Sequence, residues 1–351
     1  MGKKKVLICA ATVPFVSGGA ELLVQGLARE VRSAGFNVEV VSIPYQWDPP
    51  LKILESCLVW RLLRPDESPA GKIDLVVATK FPTYSVEHPN KVAWVLHQHR
   101  SAYDLKDTIY DDFTRYKDAD EYRRAIRDID RKFMGECKSV FTISKRVSGR
   151  IRDHCGIESA PIYHPPPFDG GYHSGEYGDY VLVVGRLDPL KRVDLVIGAM
   201  KSVKSKRAGL KVVGHGFLRE SLEELASREG VSDRVSFEGF VPEDELLDLY
   251  ANAGCVVYVP FEEDYGYSIL EAFKSKKPVV VTDDSGGALE FVTEGENGIV
   301  VPAMPADLAG AIDELLSNKR KAKRMGNAGY EAVEGISWKR VIDELVIPFI
   351  G

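Results

Sequence analysis

The sequence predicts an α/β protein built from two Rossmann-like, doubly wound halves. Three observations carry this. Strand-type apolar runs alternate with helix-type periodic segments in two successive series. A Pro- and Gly-rich stretch, HPPPFDGGYHSGEYGDY, separates the series at residues 164–180. The 351 residues also exceed what one hydrophobic core usually holds. The expected domains are residues 1–168, residues 169–335, and a C-terminal helix, 336–351, packing back on the first domain.

The first series opens with KVLICAA as a buried strand and TVPFVSGG as a loop. AELLVQGLAREVRSAG then has helical periodicity and a glycine stop at Gly35, and FNVEVVSI is the next strand. This βαβ unit implies a parallel sheet. KIDLVVATK and NKVAWVLHQH add strands. From Thr108 to about Cys155 the pattern is helical and charged, broken by the short strand SVFTIS. The second series runs YVLVVGRL (strand), KRVDLVIGAMKSVKSK (helix), GLKVVGHG (strand) and LRESLEELASREG (helix). RVSFEGF (strand), PEDELLDLYANAG (helix) and CVVYVP (strand) follow. PVVVTD and GIVVP are later strands flanking a short helix near ALEFVTEG, ADLAGAIDELLSNKRKAKRMG reads as one amphipathic helix, and WKRVIDELVIPFI as another. Ligands of such sheets sit at the carboxyl ends of strands, so two halves would leave a cleft lined by the loops that follow strands.

Composition narrows the function. The chain is 44% hydrophobic and 28% charged, with a net charge of -6. That balance gives no support to nucleic-acid binding. Seven histidines and five cysteines form no C-x2-C pair and no H-E-x-x-H, so no metal site is expected. An odd, scattered set of cysteines fits a reducing compartment. The N-terminal apolar run is short and strand-like rather than signal-like. Gly2 lacks the Ser or Thr that myristoylation needs, Val6 standing there. With no bilayer-length apolar run, the expectation is a cytoplasmic protein.

Four constellations could carry chemistry. In VVGRLDPLKR, Gly185 and Arg186 follow a strand and Lys191 comes five residues after Arg186. Two cations there can clamp a diphosphate, or can be surface cations on a helix-capping turn. In EDYGYSILEAF, Glu263 lies on a loop and Glu271 is expected in the first turn of a helix. Gly266 lets backbone pass close to a ligand, and the amides of Tyr267 and Ser268 would open that helix as an anion site. Glu271 suits ribose hydroxyls, and Glu263 the hydroxyls of a transferred sugar. The plainer alternative is a carboxylate favourable to the helix dipole plus a solvated one. In VSGGAELL, the Gly18 and Gly19 amides could approach a phosphate, although a turn uses glycines too and no G-x-G-x-x-G is present. In WVLHQHR, His97 ends a strand, within reach of a sugar hydroxyl or simply structural.

The order and spacing of these motifs resemble the retaining glycosyltransferases of family 4, with the GT-B fold. The resemblance covers nearly the whole chain and is densest from Tyr180 to Pro302, where VVGRLDPLKRVDLVIGA, VVGHGFLRESLEELA, VSFEGFVPEDELLDLYANA, EDYGYSILEA and PVVVTDDSGGALEFVTEGENGIVVP stand in the family's order. The family's Glu-x7-Glu signature falls on Glu263 and Glu271. The resemblance implies an N-terminal acceptor domain and a C-terminal nucleotide-sugar domain. Arg186 and Lys191 would bind the donor diphosphate, Glu263 would touch the donor sugar and Glu271 the ribose. Amides from Gly266 to Ser268 would cradle phosphate, with Gly19 facing them and His97 beside the sugar. Gly214, Gly216, Phe240 and Val241 would lie near the nucleobase. Asp264 departs from the glycine usual after the first glutamate, and AFKSKK from the usual small-residue stretch; the Asp264 carboxylate could alter sugar preference.

The implied reaction moves a hexose from a nucleoside diphosphate sugar, GDP-mannose or a UDP-sugar, to a hydroxyl of a glycan or lipid-linked acceptor, with retention, no cofactor and no metal. Alternatives on the same fold are a sugar-nucleotide epimerase, a phosphorylase and a non-catalytic nucleotide-sugar-binding subunit. Between Phe113 and Arg152, 12 Lys and Arg stand against 6 Asp and Glu. That local excess allows peripheral contact with an anionic membrane face, or a solvated helix pair laced with ion pairs.

Overall fold

The computed structural model describes residues 3–15, 18–67 and 71–350. Gly2, weighed above for myristoylation, lies outside them, as do Val16 and Ser17 of the glycine turn. The chain divides into two compact units, Met1–Pro167 with Ile336–Gly351, and Phe168–Gly335.

In the first unit β1 (Lys5–Thr12), α1 (Gly19–Ser33), β2 (Asn37–Pro44), α2 (Leu51–Leu62), β3 (Leu75–Ala78) and β4 (Lys91–Val95) are followed by α3 (Ala119–Gly135), β5 (Ser139–Thr142), α4 (Lys145–Cys155) and β6 (Ala160–Pro161). The described strands form a parallel sheet in the order β2-β1-β3-β4-β5-β6. Every residue of β3 and β4 is buried, as expected of inner strands covered on both faces. Lys91 is the polar exception. Its ammonium donates to the carbonyls of Tyr84 (2.7 Å), Val86 (2.9 Å) and Phe133 (3.2 Å), which satisfies a charge that burial would otherwise forbid.

The second unit contains β7 (Tyr180–Val184), α5 (Val193–Met200), β8 (Gly209–Val213), α6 (Arg219–Arg228), β9 (Val235–Gly239) and α7 (Glu243–Asn252). β10 (Cys255–Tyr258), α8 (Tyr267–Lys274), β11 (Val279–Thr282), β12 (Gly298–Val301), α9 (Pro305–Ser317) and α10 (Lys319–Val333) complete it. Its parallel sheet has the order β12-β11-β10-β7-β8-β9. The fold class is therefore α/β as expected, with two parallel-sheet units. The last helix, α11 (Trp338–Leu345), belongs to the first unit. There Trp338 stacks on His164 and lies 2.5 Å from where a Cβ on Gly26 of α1 would stand.

Several expectations were wrong in detail. The helix placed from Thr108 begins only at Ala119. Ahead of it, the Asp111 carboxylate accepts from the amides of Asp107 (3.1 Å) and Phe113 (2.9 Å), offering the backbone turn partners in place of helical ones. Helix α2 was not anticipated. It has no clean apolar stripe: Ile53, Cys57 and Trp60 are buried while Leu51, Leu58, Val59 and Leu62 are exposed. The single helix at 306–326 is two, because the Asn318 side chain accepts from Lys321 N (2.9 Å) and caps a new start. The helix expected over 191–206 stops at Met200, and the short helix near ALEFVTEG is a 3-10 turn, Gly286–Phe291. The basic excess of residues 113–152 is partly internal. Arg123 pairs with buried Asp111, Arg127 donates to Ala102 O, and Arg150 pairs with Asp104.

Candidate active site

The strand order of the second unit reverses between β7 and β10, and the loops after these neighbours carry the expected site residues. Such a switch point leaves a crevice beyond the strand ends. After β7 the chain passes Gly185, Arg186 and a 3-10 turn, Pro189–Lys191. After β10 it passes Glu263 and Gly266 into α8. Ser268 Oγ donates to Val184 O (2.9 Å), fixing the start of α8 against the end of β7. Gly266, the residue before that helix, has φ +110, and a Cβ there would stand 3.0 Å from Ala288 Cβ.

Lys191 and Glu263 form a half-buried ion pair. Tyr258 joins both: its hydroxyl donates to Glu263 Oε2 (3.0 Å) and accepts from Lys191 Nζ (3.3 Å). Arg186 is more exposed, with 53% of its side chain accessible, and pairs with Asp188 at 3.1 Å. The site thus offers two cations, each paired with a carboxylate, Lys191 half-buried and Arg186 more exposed.

Glu271 corrects the sequence reading. Helix α8 starts at Tyr267, so Glu271 sits in its second turn and gains nothing from the helix dipole. The carboxylate is buried and accepts from Tyr250 Oη (2.5 Å) and Tyr172 Oη (3.4 Å). Burial pushes its pKa up to about 7 against the pull of those hydrogen bonds.

Gly214 and Gly216 are demanded by the backbone. A Cβ at Gly214, where φ is +129, would overlap Gly185 O, and one at Gly216 would overlap Leu187 O. Gly214 N donates to Gly239 O (2.8 Å) and Gly185 N to Val213 O (3.0 Å), which bring the ends of β7, β8 and β9 together. Phe240, just beyond, is 83% exposed, while Val241 is buried. Sequence reasoning missed Tyr172, Tyr250, Tyr258, Arg192, Asp284 and the Gly286–Gly287 pair. Arg192 and the SGG turn stood inside quoted motifs, but their work is done by contacts with other segments, Arg192 with Asp284 and the SGG turn with the main chain at Glu263.

The remaining candidates lie in the first unit. Gly18 and Gly19 follow β1 and open α1, and the Gly18 amide donates to Glu21 Oε2 (3.0 Å). Burial, helped by the Lys80 charge, drives the His97 imidazole down to about 3, so it is neutral near pH 7. Its Nδ1 donates to Gln98 O (2.9 Å), leaving Nε2 as the acceptor nitrogen. Beneath it, buried Asp130 accepts from Tyr84 (2.6 Å), Tyr103 (2.7 Å) and Gln98 (3.2 Å). Among the described residues no group of His, Cys, Asp and Glu is placed to hold a metal ion, and no helix is long and apolar enough to cross a membrane.

Residues 173–332 match the family model of the glycosyl transferases group 1. Over that span the chain is similar to the glycosyl transferases group 1. An uncharacterized glycosyltransferase of Methanocaldococcus jannaschii is 27% identical over 95% of this chain and 94% of its own length. A GDP-mannose-dependent alpha-(1-6)-phosphatidylinositol monomannoside mannosyltransferase of Mycobacterium tuberculosis is 37% identical over 44% of this chain, spanning 42% of that relative. Among solved structures, sucrose-phosphate synthase of Thermosynechococcus elongatus superposes with a TM-score of 0.77 at 18% identity, covering 95% of this chain and 96% of the other. The group 1 match contains the whole Gly185–Glu271 constellation.

Proposed function

We propose that this protein is a glycosyltransferase, specifically a retaining, metal-independent hexosyltransferase of family 4. It would transfer a hexose from GDP-mannose or a UDP-sugar to a hydroxyl of a glycan or lipid-linked sugar. The observation that carries the reading is the Lys191–Glu263–Tyr258 cluster at the switch point, beside the start of α8. A donor diphosphate would draw the Lys191 ammonium and the Arg186 guanidinium, leaving the Glu263 carboxylate to accept from sugar hydroxyls. Glu271 would take the ribose hydroxyls by exchanging the Tyr172 bond. Exposed Phe240 gives the base an aromatic face, and His97 Nε2 is proposed to accept from a sugar hydroxyl.

In the proposed step the bond from the anomeric carbon to the diphosphate oxygen breaks. A bond to the acceptor oxygen forms on the same face, and the acceptor proton passes to the departing phosphate oxygen. The chain's contribution is charge stabilisation of the diphosphate, about 3 kcal/mol for each well-placed donor. A thermal-shift panel of GDP, UDP and their sugars tests the reading, because a bound ligand raises the melting temperature. Stabilisation by one nucleotide series, lost in Lys191→Ala, is expected. Failure of every donor to bind removes the proposal, and turnover abolished by a chelator removes its metal-independent part.

The finer partner proposal is peripheral contact with anionic membrane through the exposed Arg124, Lys132, Lys138, Lys145 and Arg146. Pelleting with anionic but not neutral vesicles at low salt is the expected result; no pelleting ends that proposal.

A further inference from the structure

We propose that Arg192 is a positioning residue that sets the sugar discrimination of the site through the loop carrying Glu263. The proposal rests on the Glu263 reading above. Arg192 sits where neither backbone nor charge favours it. Its φ of +48 lies in the left-handed region, and it places a cation immediately before the N-terminus of α5. What holds it there is its guanidinium. Nε donates to Val259 O (2.8 Å), Nη1 to Asp284 Oδ2 (2.7 Å), and Nη2 to Pro260 O (3.0 Å), Thr282 Oγ1 (2.9 Å) and Asp284 Oδ1 (2.6 Å). The bidentate grip on Asp284 needs arginine's planar fork.

These acceptors lie at the end of β11 and on the loops after β10 and β11. The same loops are stitched by main chain: Phe261 N to Leu190 O (2.8 Å), Glu262 N to Asp284 O (2.9 Å) and Gly287 N to Glu263 O (2.6 Å). A Cβ on Gly286 would stand 2.6 Å from Glu263 O, so the packing tolerates no side chain there. Segment 259–263 is thus held on both sides. Lys191 meets the Glu263 carboxylate, and its neighbour Arg192 fixes the backbone that delivers it. A carboxylate presented from a fixed backbone can distinguish an axial from an equatorial hydroxyl; one on a loose loop follows either.

The test compares Arg192→Lys, Arg192→Gln and Asp284→Asn with the unaltered chain. Steady-state kinetics are measured with GDP-mannose against GDP-glucose and UDP-glucose against UDP-galactose, and GDP and UDP binding by calorimetry. In all three variants kcat should fall by at least about tenfold, since a misplacement of about 1 Å can cost about 100-fold. The kcat/KM ratio between epimeric donors should shrink, with the affinity for GDP or UDP alone within about twofold of the original. Lysine should not rescue. Unchanged epimer ratios, full rescue by Arg192→Lys, or a loss of nucleotide affinity parallel to the loss of kcat/KM each overturn the proposal. Should the Arg192 variants not fold, Thr282→Val removes one of the Arg192 bonds, together with the Thr282–Ser285 hydroxyl bond, and must shift the epimer ratio in the same direction, or the proposal falls. Glu263→Gln separates the two claims. If it leaves discrimination intact, the Glu263 reading itself fails; if it abolishes discrimination while the Arg192 variants keep it, only the present inference does.

Discussion

The two loop clusters of this protein treat charge in opposite ways. In the second unit, Arg186, Lys191 and Glu263 keep 53%, 18% and 22% of their side chains accessible; Lys191 pairs with Glu263 and Arg186 with Asp188. In the first unit, the polar groups beneath His97 are closed into a buried network. Asp130 is bound by two tyrosines and Gln98, which in turn accepts from Arg150 Nε (3.2 Å). An open cluster can exchange its internal bonds for those of a ligand. A closed one loses hydrogen bonds if any member leaves, so it serves as a frame. The difference teaches where ligand chemistry and where rigidity should be sought.

The comparison can be broken first at Lys191. Lys191→Ala should lower turnover by about 100-fold or more, as for other lost transition-state donors, while the melting transition stays cooperative. Equal turnover would erase the distinction between the clusters. Next comes Asp130→Ala, which strands three buried donors. It should destabilise the chain by about 3 kcal/mol in denaturant titration, with nucleotide affinity unchanged.

Glu271 sharpens the contrast, being a buried carboxyl within the open cluster. Its folded pKa of about 7 lies above the ordinary 4.5. The protonated form is therefore favoured by folding, and its contribution is complete below about 4.5 and lost as pH rises through about 7. Glu271→Gln should flatten the fall of stability between those values by about 1–3 kcal/mol, read from denaturation across pH. A variant with the parent's pH slope would show that Glu271 is ionised at little cost. The smallest effect belongs to Arg186→Ala. Its exposed pair with Asp188 should contribute under about 0.5 kcal/mol to stability, while donor affinity, measured by calorimetry, weakens.

Much of the candidate site in the second unit was legible because its residues cluster in short motifs after strands. Gly185, Arg186 and Lys191 lie within seven residues, and Glu263 to Glu271 within nine. What could not be read was distance across the chain. Arg192 was given no role, and only the return of β11 beside β10 places Asp284 under its guanidinium. Glu271 was expected in the first turn of its helix, whereas a helix starting at Tyr267 places it in the second turn, buried against Tyr250. Gly214 suggested a ligand contact, whereas the close approach of Gly185 O already requires it.

By itself the sequence determined the alternation of strands and helices, the break between two units and the charges at strand ends. These depend on local periodicity and on residue type, which a linear chain displays. Tertiary structure alone decided which of those charges stay open to a ligand. Protonation followed from it too: burial sets the state of Glu271 and His97 through the cost of removing a charge from water, and that cost depends on neighbours the chain brings back from far away.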